Sequence, residues 1–246
     1  MLVTIPFEVD RTTWMTPHVK HITLKPKVEK KFNFVPGQFI TIHFEKAGMP
    51  FKRSYSIASI PGVDETIDFA ASYVENGPGS AYLFNLKPGD EVHVSGPFGR
   101  LILREEPVKR LWLVSTGTGV TPYRSMLPAL SEKLKQHPEL HVNLLQGVQY
   151  RQDVLYAEDF LRWQSQLANQ LSYWVYLSRE DLTQTRRPHE RSGYVQSAFE
   201  GVTLNPQEEV VYLCGNPNMI DQTFARLQAL NFSTSQVRRE KYISSK

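Results

Sequence analysis

Apolar and polar positions alternate in short stretches through the first hundred residues, and after about residue 105 the pattern changes to continuous apolar runs and helical spacing. Residues 19–24, 39–44, 55–58, 67–74 and 91–94 carry the β-rich pattern, and Pro36-Gly37, Pro61-Gly62, Gly77-Pro78-Gly79, Pro88-Gly89 and Gly96-Pro97 stand between or beside them. Short strands at regular spacing with such punctuation predict a small sandwich or barrel up to about Leu103. Beyond Glu105 the runs 111–114, 142–145, 174–177 and 210–213 are apolar throughout, as in a parallel sheet buried on both faces. Helical spacing over 123–135, 154–167 and 218–230 alternates with these runs. That order predicts right-handed crossovers and an open sheet of the nucleotide-binding type. The connector is expected within residues 104–109, marked by Pro107, which divides the chain into 1–105 and 106–246. Pro128 should kink its helix or end it early.

Composition narrows the partners more than the fold. Of 246 residues, 41% are hydrophobic and 22% charged, which excludes disorder, and no apolar run approaches the roughly 18 residues of a membrane span. The first eleven residues contain Glu8 and Asp10 and lack the progression of a secretory signal, so a cytoplasmic location is expected, with no membrane partner. A net charge of +3 is too weak to argue for nucleic acid. The single cysteine, Cys214, excludes a disulfide framework and any cysteine-ligated zinc or iron–sulfur centre within one chain. The seven histidines show no metal spacing, and there is neither a G-x-S-x-G elbow nor a P-loop.

Four segments can carry chemistry. Arg53-Ser54-Tyr55-Ser56-Ile57-Ala58-Ser59 places a cation, an aromatic face and a hydroxyl on one short strand, with Arg53 and Tyr55 on the same face. A guanidinium suits phosphate, an aromatic suits a planar redox ring, and a short donor suits a ring nitrogen. An edge strand with a solvated Arg and a packed Tyr would carry the same heptapeptide. Gly77-Pro78-Gly79-Ser80 allows a tight turn in which Ser80 opens a short helix whose N–H groups could meet phosphate, although a plain capped turn reads identically. Ser115-Thr116-Gly117-Thr118-Gly119-Val120-Thr121-Pro122 lies between a buried strand and a helix with Pro122 at its first position. Such glycines let a pyrophosphate approach the backbone, though the segment is not G-x-G-x-x-G. Cys214-Gly215-Asn216-Pro217 ends another buried strand, where open α/β sheets hold ligands, although a lone cysteine is also a common core residue.

In order, Arg53-x-Tyr55-Ser56, Gly77-x-x-Ser80, Gly117-Thr118-Gly119-x-x-Pro122 and Cys214-Gly215-Asn216-Pro217 resemble the ferredoxin-NADP reductase superfamily over nearly the whole chain. The resemblance implies a six-stranded antiparallel barrel holding FAD in residues 1–105, followed by a parallel α/β domain holding NADP(H) in 106–246. It places Arg53 on flavin phosphate, Tyr55 and Ile57 along the flavin, Ser56 at the hydride-accepting nitrogen, and Gly79 with Ser80 on pyrophosphate. Thr118, Gly119 and Pro122 would meet the nucleotide, and Cys214 with Gly215 the nicotinamide. Glu240-Lys241-Tyr242 resembles the family's terminal acidic-x-aromatic element, with Glu240 counted among the catalytic groups and Tyr242 covering the ring. Family members often stop near that aromatic, whereas this chain continues through Ile243, Ser244, Ser245 and Lys246.

Ser178-Arg179-Glu180 and Tyr194-Val195-Gln196 resemble the elements that hold the 2′-phosphate and adenine, in a pattern close to the plastid type. Tyr73 offers a ring for the flavin's adenine, or else a barrel core residue. The implied activity is hydride exchange with NADPH coupled to one-electron exchange with a ferredoxin or flavodoxin, by a monomer. An NADH-dependent reductase component of an oxygenase is the alternative within the class, and a non-catalytic nucleotide-binding protein the alternative outside it.

Overall fold

A computed structural model describes residues 4–28, 32–63, 65–167 and 169–243. The chain forms two compact units, the described part of Met1–Leu103 with Thr121–Met126, and Arg104–Val120 with Leu127–Ile243.

The first unit is a six-stranded antiparallel sheet: β1 Ile5–Thr16, β2 Val19–Pro26, β3 Phe39–Lys46, β4 Met49–Ser56, β5 Ile67–Ser72 and β6 Glu91–Phe98. Its order is β4-β3-β6-β1-β2-β5. The outer strands β4 and β5 meet through the antiparallel bridge Ile57 to Phe69 and the bond from Ala58 N–H to the Asp68 carbonyl at 2.7 Å, which closes the sheet into a barrel. Every second residue points inward, so Phe7 and Val9, Ile22 and Leu24, Ile40 and Ile42, Ile67 and Phe69, and Val92 and Val94 make one core. Each such side chain contributes about 1.5–3 kcal/mol by leaving water. Of the strand expected at 55–58, Tyr55 and Ser56 end the longer β4 and Ile57 forms the bridge that follows it. Gly96-Pro97, expected as a turn, lies inside β6, where Gly96 at φ 142° accompanies an irregular register against β3.

The short helix α1, Pro78–Leu83, packs Leu83 into this core. The carbonyls that follow it are held by a buried lysine on β2. Lys20 Nζ donates to the Phe84 carbonyl at 3.1 Å and to the Leu86 carbonyl at 3.0 Å. Burial lowers the Lys20 pKa while the Asp90 carboxylate pulls it up. A cation at a helix C-terminus satisfies carbonyls that have no partner within the helix.

The second unit is a wholly parallel sheet of β7 Arg110–Thr116, β8 His141–Val148, β9 Leu171–Leu177, β10 Glu190–Ser192, β11 Glu209–Gly215 and β12 Val237–Lys241, in the order β10-β9-β8-β7-β11-β12. Its helices are α2 Thr121–Gln136 from Leu127 onward, α3 Ala157–Gln166 and α4 Pro217–Ala229. β11 is buried along its whole length, as its apolar run requires. α2 continues past Pro128 to Gln136, so of the kink or early end expected from that proline the early end does not occur. Leu130 and Leu134, both fully buried beyond the proline, offset the roughly 3 kcal/mol that a helix-interior proline costs. No helix among the described residues is long and apolar enough to cross a membrane.

Lys20→Ala strips two partly buried carbonyls of their donor. It is expected to lower the barrel's unfolding free energy by about 1–3 kcal/mol, read from urea titrations, with no gain in stability at any pH from 6 to 8.

Candidate functional site

Within the first unit, the segments around Arg53 and Gly79 come together. Arg53 and Tyr55 lie on the face of β4 that α1 covers. A Cβ added to Gly79 would lie 3.0 Å from Arg53 Cγ and 3.3 Å from the Tyr55 hydroxyl oxygen. Glycine at 79 therefore keeps backbone, the aliphatic stem of Arg53 and the Tyr55 phenol within one small space. Arg53 Nη1 donates to the Lys52 carbonyl at 2.8 Å. Tyr55 packs on Phe69 with ring centres 5.0 Å apart, and burial pushes its phenol up to about 12 against the opposing pull of Arg53, so the ring stays neutral. Ser56 is nearly buried at the end of β4. The Ile57 side chain lies in the barrel core, and its N–H donates to the Gln38 carbonyl at 3.0 Å.

Ser80 does not open its helix as expected. The helix starts at Pro78 with Gly77 as the cap, and the Ser80 hydroxyl oxygen instead accepts the Val74 N–H at 2.7 Å, because it sits one turn too late to reach the helix's own first donors. That bond ties the segment after β5 to α1. Tyr73, next to Val74, is 52% exposed, so it is not a core residue. Tyr73 and Trp14 each meet Phe84 edge to face at 5.3 Å, and an open depression of about 400 Å³ lies along Trp14, Met15, Thr16 and Pro17.

The first turn of α2, which groups with this unit, is fastened to the segment that follows β4. Arg124 Nη1 donates to the Ala58 carbonyl and Ser125 Oγ to the Ser59 carbonyl, each at 2.8 Å. Pro122 is buried there at the second helical position rather than the first, because Gly117–Val120 forms a 3-10 turn that shifts the start of the helix.

In the second unit the segments around Gly119 and Cys214 converge. β7 and β11 are adjacent, and the loop leaving β7 folds over the end of β11, so that a Cβ on Gly119 would collide with the Cys214 carbonyl and lie 2.8 Å from Gly215 Cα. Gly215 has φ 122°, and a Cβ there would be 2.6 Å from the Thr116 carbonyl oxygen. Thr116 Oγ1 accepts the Asn216 N–H at 2.9 Å, while Asn216 Oδ1 caps α4 by accepting the Asn218 N–H at 2.8 Å. Gly117 has φ 53° with open space around it, and Thr118 beside it is partly exposed. The loop thus lies at the carboxyl ends of two strands, where the strand order reverses.

Cys214 is fully buried. Burial pushes its thiol pKa well up, the Glu240 carboxylate pushes the same way, and a hydrogen bond with the Tyr242 side chain opposes both. Cys214 pairs in register with Glu240, and the Tyr242 N–H donates to the Gly215 carbonyl at 2.8 Å. The terminal acidic-x-aromatic element therefore gathers around the thiol. Ile243 is exposed, and the rest of the extension, Ser244 to Lys246, lies outside the described residues.

Ser178 and Arg179 follow β9 directly and are anchored by their N–H groups to the Val148 carbonyl at 3.0 Å and the Gln149 carbonyl at 2.9 Å. Tyr194 is 68% exposed, and Gln196 Nε2 donates to Gln222 Oε1 on α4 at 2.8 Å. Sequence reasoning missed Arg124, Ser125, Arg151 and Glu190. All four act through partners distant in the sequence, and no local motif marks them.

A family profile described as an oxidoreductase FAD-binding domain matches residues 6–102, and one described as an oxidoreductase NAD-binding domain matches residues 113–224. A ferredoxin-NADP reductase of Pseudomonas aeruginosa is 33% identical over 215 residues, 82% of this chain and 81% of that one. The electron transfer component of toluate 1,2-dioxygenase from Pseudomonas putida is 28% identical over 226 residues, 91% of this chain and 63% of that one. Among solved structures, a ferredoxin NADP+ reductase from Neisseria gonorrhoeae with bound FAD and NADP superposes with a TM-score of 0.80 at 20% identity, covering 97% of this chain and 98% of the other.

Two measurements follow from the geometry around Cys214. At pH 8 the thiol should react with an aromatic disulfide reagent at least about 100-fold more slowly in the native protein than after unfolding, because burial disfavours the thiolate. Gly119→Ala should weaken pyridine nucleotide binding at least about tenfold while flavin content is unchanged, because the added methyl displaces the loop from the end of β11. Equal thiol rates in the two states, or unaltered nucleotide binding, would contradict the packing described.

Proposed function

The chain belongs to the ferredoxin-NADP reductase family of flavin oxidoreductases, and from that premise we propose that it exchanges electrons between NADPH and a separate one-electron carrier, a ferredoxin or a flavodoxin. In this reading residues 1–105 hold FAD and residues 106–246 hold the nucleotide. The observation that carries it is the gathering of four separate motifs into two glycine-lined cradles, Gly79 against Arg53 and Tyr55, and Gly119 against Cys214 and Gly215. Glycine at these two positions lets the segments of each pair close on one another, which gathers the residues suited to a phosphate-bearing cofactor in one place.

FAD, when bound, supplies the conversion between a two-electron hydride and single electrons. The chain's own residues bind, orient and exclude water. Arg53 gives a fixed positive charge for phosphate, with Gly79 and Ser80 shaping the pyrophosphate path. Tyr55, held neutral and packed on Phe69, offers its ring to the isoalloxazine, and Ser56 brings a hydroxyl to the same strand end. Tyr73, with its exposed ring, is the candidate for adenine. In the second unit Thr118, Gly119 and Pro122 line the nucleotide's path, and Cys214, a neutral buried thiol, keeps water from the nicotinamide and sets its alignment. Glu240 and Tyr242 support that thiol.

The 2′-phosphate is assigned to Ser178 and Arg179, with Tyr194 stacking on adenine and Gln196 beside it. The carrier is held by opposite charge, since ferredoxins and flavodoxins are acidic as a class. The chain acts as a monomer in the cytoplasm.

The purified protein should be yellow and should release FAD, not FMN, on heating, as identified by chromatography. Tyr55→Ala should lose flavin on gel filtration. Arg179→Ala removes a charged hydrogen bond of about 1.5–3 kcal/mol, so the preference for NADPH over NADH should fall roughly tenfold to a hundredfold with NADH kinetics little changed. A wild type that uses both nucleotides equally would favour the NADH-dependent oxygenase reductase reading, which the likeness to the toluate dioxygenase component supports.

A further inference from the structure

Two guanidinium groups stand at the carboxyl ends of β8 and β9 and are used in opposite ways. The Arg179 side chain is exposed, and among the described residues no hydrogen bond or ion pair engages it. Arg151, in the 3-10 turn that follows β8, is fully engaged. Its Nε and Nη2 donate to the two oxygens of Glu190 at 2.7 and 2.8 Å, a bidentate pair whose carboxylate is 1% exposed. Its Nη1 donates to Glu180 Oε1 at 3.3 Å and its backbone N–H to Glu180 Oε2 at 3.0 Å. Nη2 also reaches the Thr185 carbonyl at 2.9 Å.

These bonds grip one segment at its start, middle and end. Twelve residues, 178–189, separate β9 from β10, and most of them are exposed and polar. A connection of that length has no core of its own to shape it. Further bonds radiate from the gripped end: the Arg187 N–H donates to Glu190 Oε2 at 2.9 Å, and Arg186 Nε and Arg191 Nη1 donate to the Glu190 carbonyl at 3.0 and 2.7 Å. Arg191 also lies over the Trp174 ring at 3.9 Å.

The charges follow the same plan. The segment 178–191 carries four arginines and three acids. Two of the acids, Glu180 and Glu190, are paired with Arg151, and the third, Asp181, accepts from Thr183. Arg151 comes from outside the segment, so it draws Glu180 and Glu190 away from Arg179, while Arg187 within the segment also lies 3.9 Å from Glu190. Released from Arg151, Glu180 would become a competing acceptor for the guanidinium next to it in the chain.

We propose that Arg151 is a positioning residue for selection of the 2′-phosphate: by holding Glu180 and Glu190 together it fixes the loop that presents Arg179 and removes the carboxylates that would compete with a phosphate for it. The proposal rests on the assignment of the 2′-phosphate to Ser178 and Arg179. Arg151 itself touches no ligand.

The test is calorimetric titration of the full chain with 2′-phospho-AMP and with AMP, for the wild type, Arg151→Ala, and Arg151→Ala combined with Glu180→Gln. Arg151→Ala should weaken 2′-phospho-AMP about tenfold or more and AMP less than about twofold, and the added Glu180→Gln should recover at least about threefold by removing the competing carboxylate. In steady-state assays the same variant should raise the KM for NADPH with kcat little altered. If Arg151→Ala does not fold, Glu190→Gln, which keeps the volume and loses the charge, takes its place with the same expectation in direction. Equal weakening of both ligands, or of neither, overturns the proposal and leaves the 2′-phosphate assignment intact. A wild type that binds 2′-phospho-AMP no better than AMP overturns the assignment itself, and the proposal with it.

Discussion

The second unit depends on one close approach between backbones, the loop leaving β7 lying against the end of β11 with no Cβ on Gly119 to hold it off. Parallel strands send their connections the same way at each carboxyl end, and helices must then rise from those ends without colliding. Gly119 removes the obstacle on one side of the contact and Gly215, at a positive φ, on the other. Thr116 then locks the arrangement by accepting the Asn216 N–H, and Asn216 in turn caps α4. Loop, strand end and helix start are thus set by a chain of short contacts, and a buried neutral thiol at Cys214 results from the same crowding.

The barrel solves a related problem with a different device. Its outer strands meet over only a short stretch near Ile57 and Phe69, so α1 supplies the covering that further strand pairing would have given. Tyr55 packs on the core at Phe69 with its hydroxyl toward this cover, and half-buried Arg53, also against the cover, is a cation on the same strand face. Lys20, reaching from β2 to the carbonyls that follow α1, holds the cover at its far end.

How much of this is legible in the sequence follows from how local each cause is. Period-two alternation marks β2, β3, β5 and β6, and all-apolar runs mark β7 and β11, because burial writes itself into the side chains of a single strand. β1 is harder to see: polar residues Asp10 to Thr13 interrupt its alternation, and its pairing with β2 shifts register between Val9 and Arg11. β10 and β12 are short edge strands rich in charge, and only their neighbours β9 and β11 make them strands. At the site, the glycine positions are legible because a required conformation selects the residue. The bonds from Arg124 to Ala58 and from Arg151 to Glu190 are not, since they join residues 66 and 39 positions apart through geometry that no local pattern encodes.

The exposed aromatic corner of the barrel has an optical consequence. Of the chain's four tryptophans, Trp14 alone belongs to the first unit, at 58% exposure, while Trp112, Trp163 and Trp174 belong to the second. Emission from Trp14 is therefore red-shifted and open to aqueous quenchers, and that of buried Trp112 is neither. Trp163 and Trp174 are half-buried and lie between these limits, so the barrel's signal is the difference between the parent chain and a Trp14→Phe chain, whose intrinsic fluorophores are confined to the second unit.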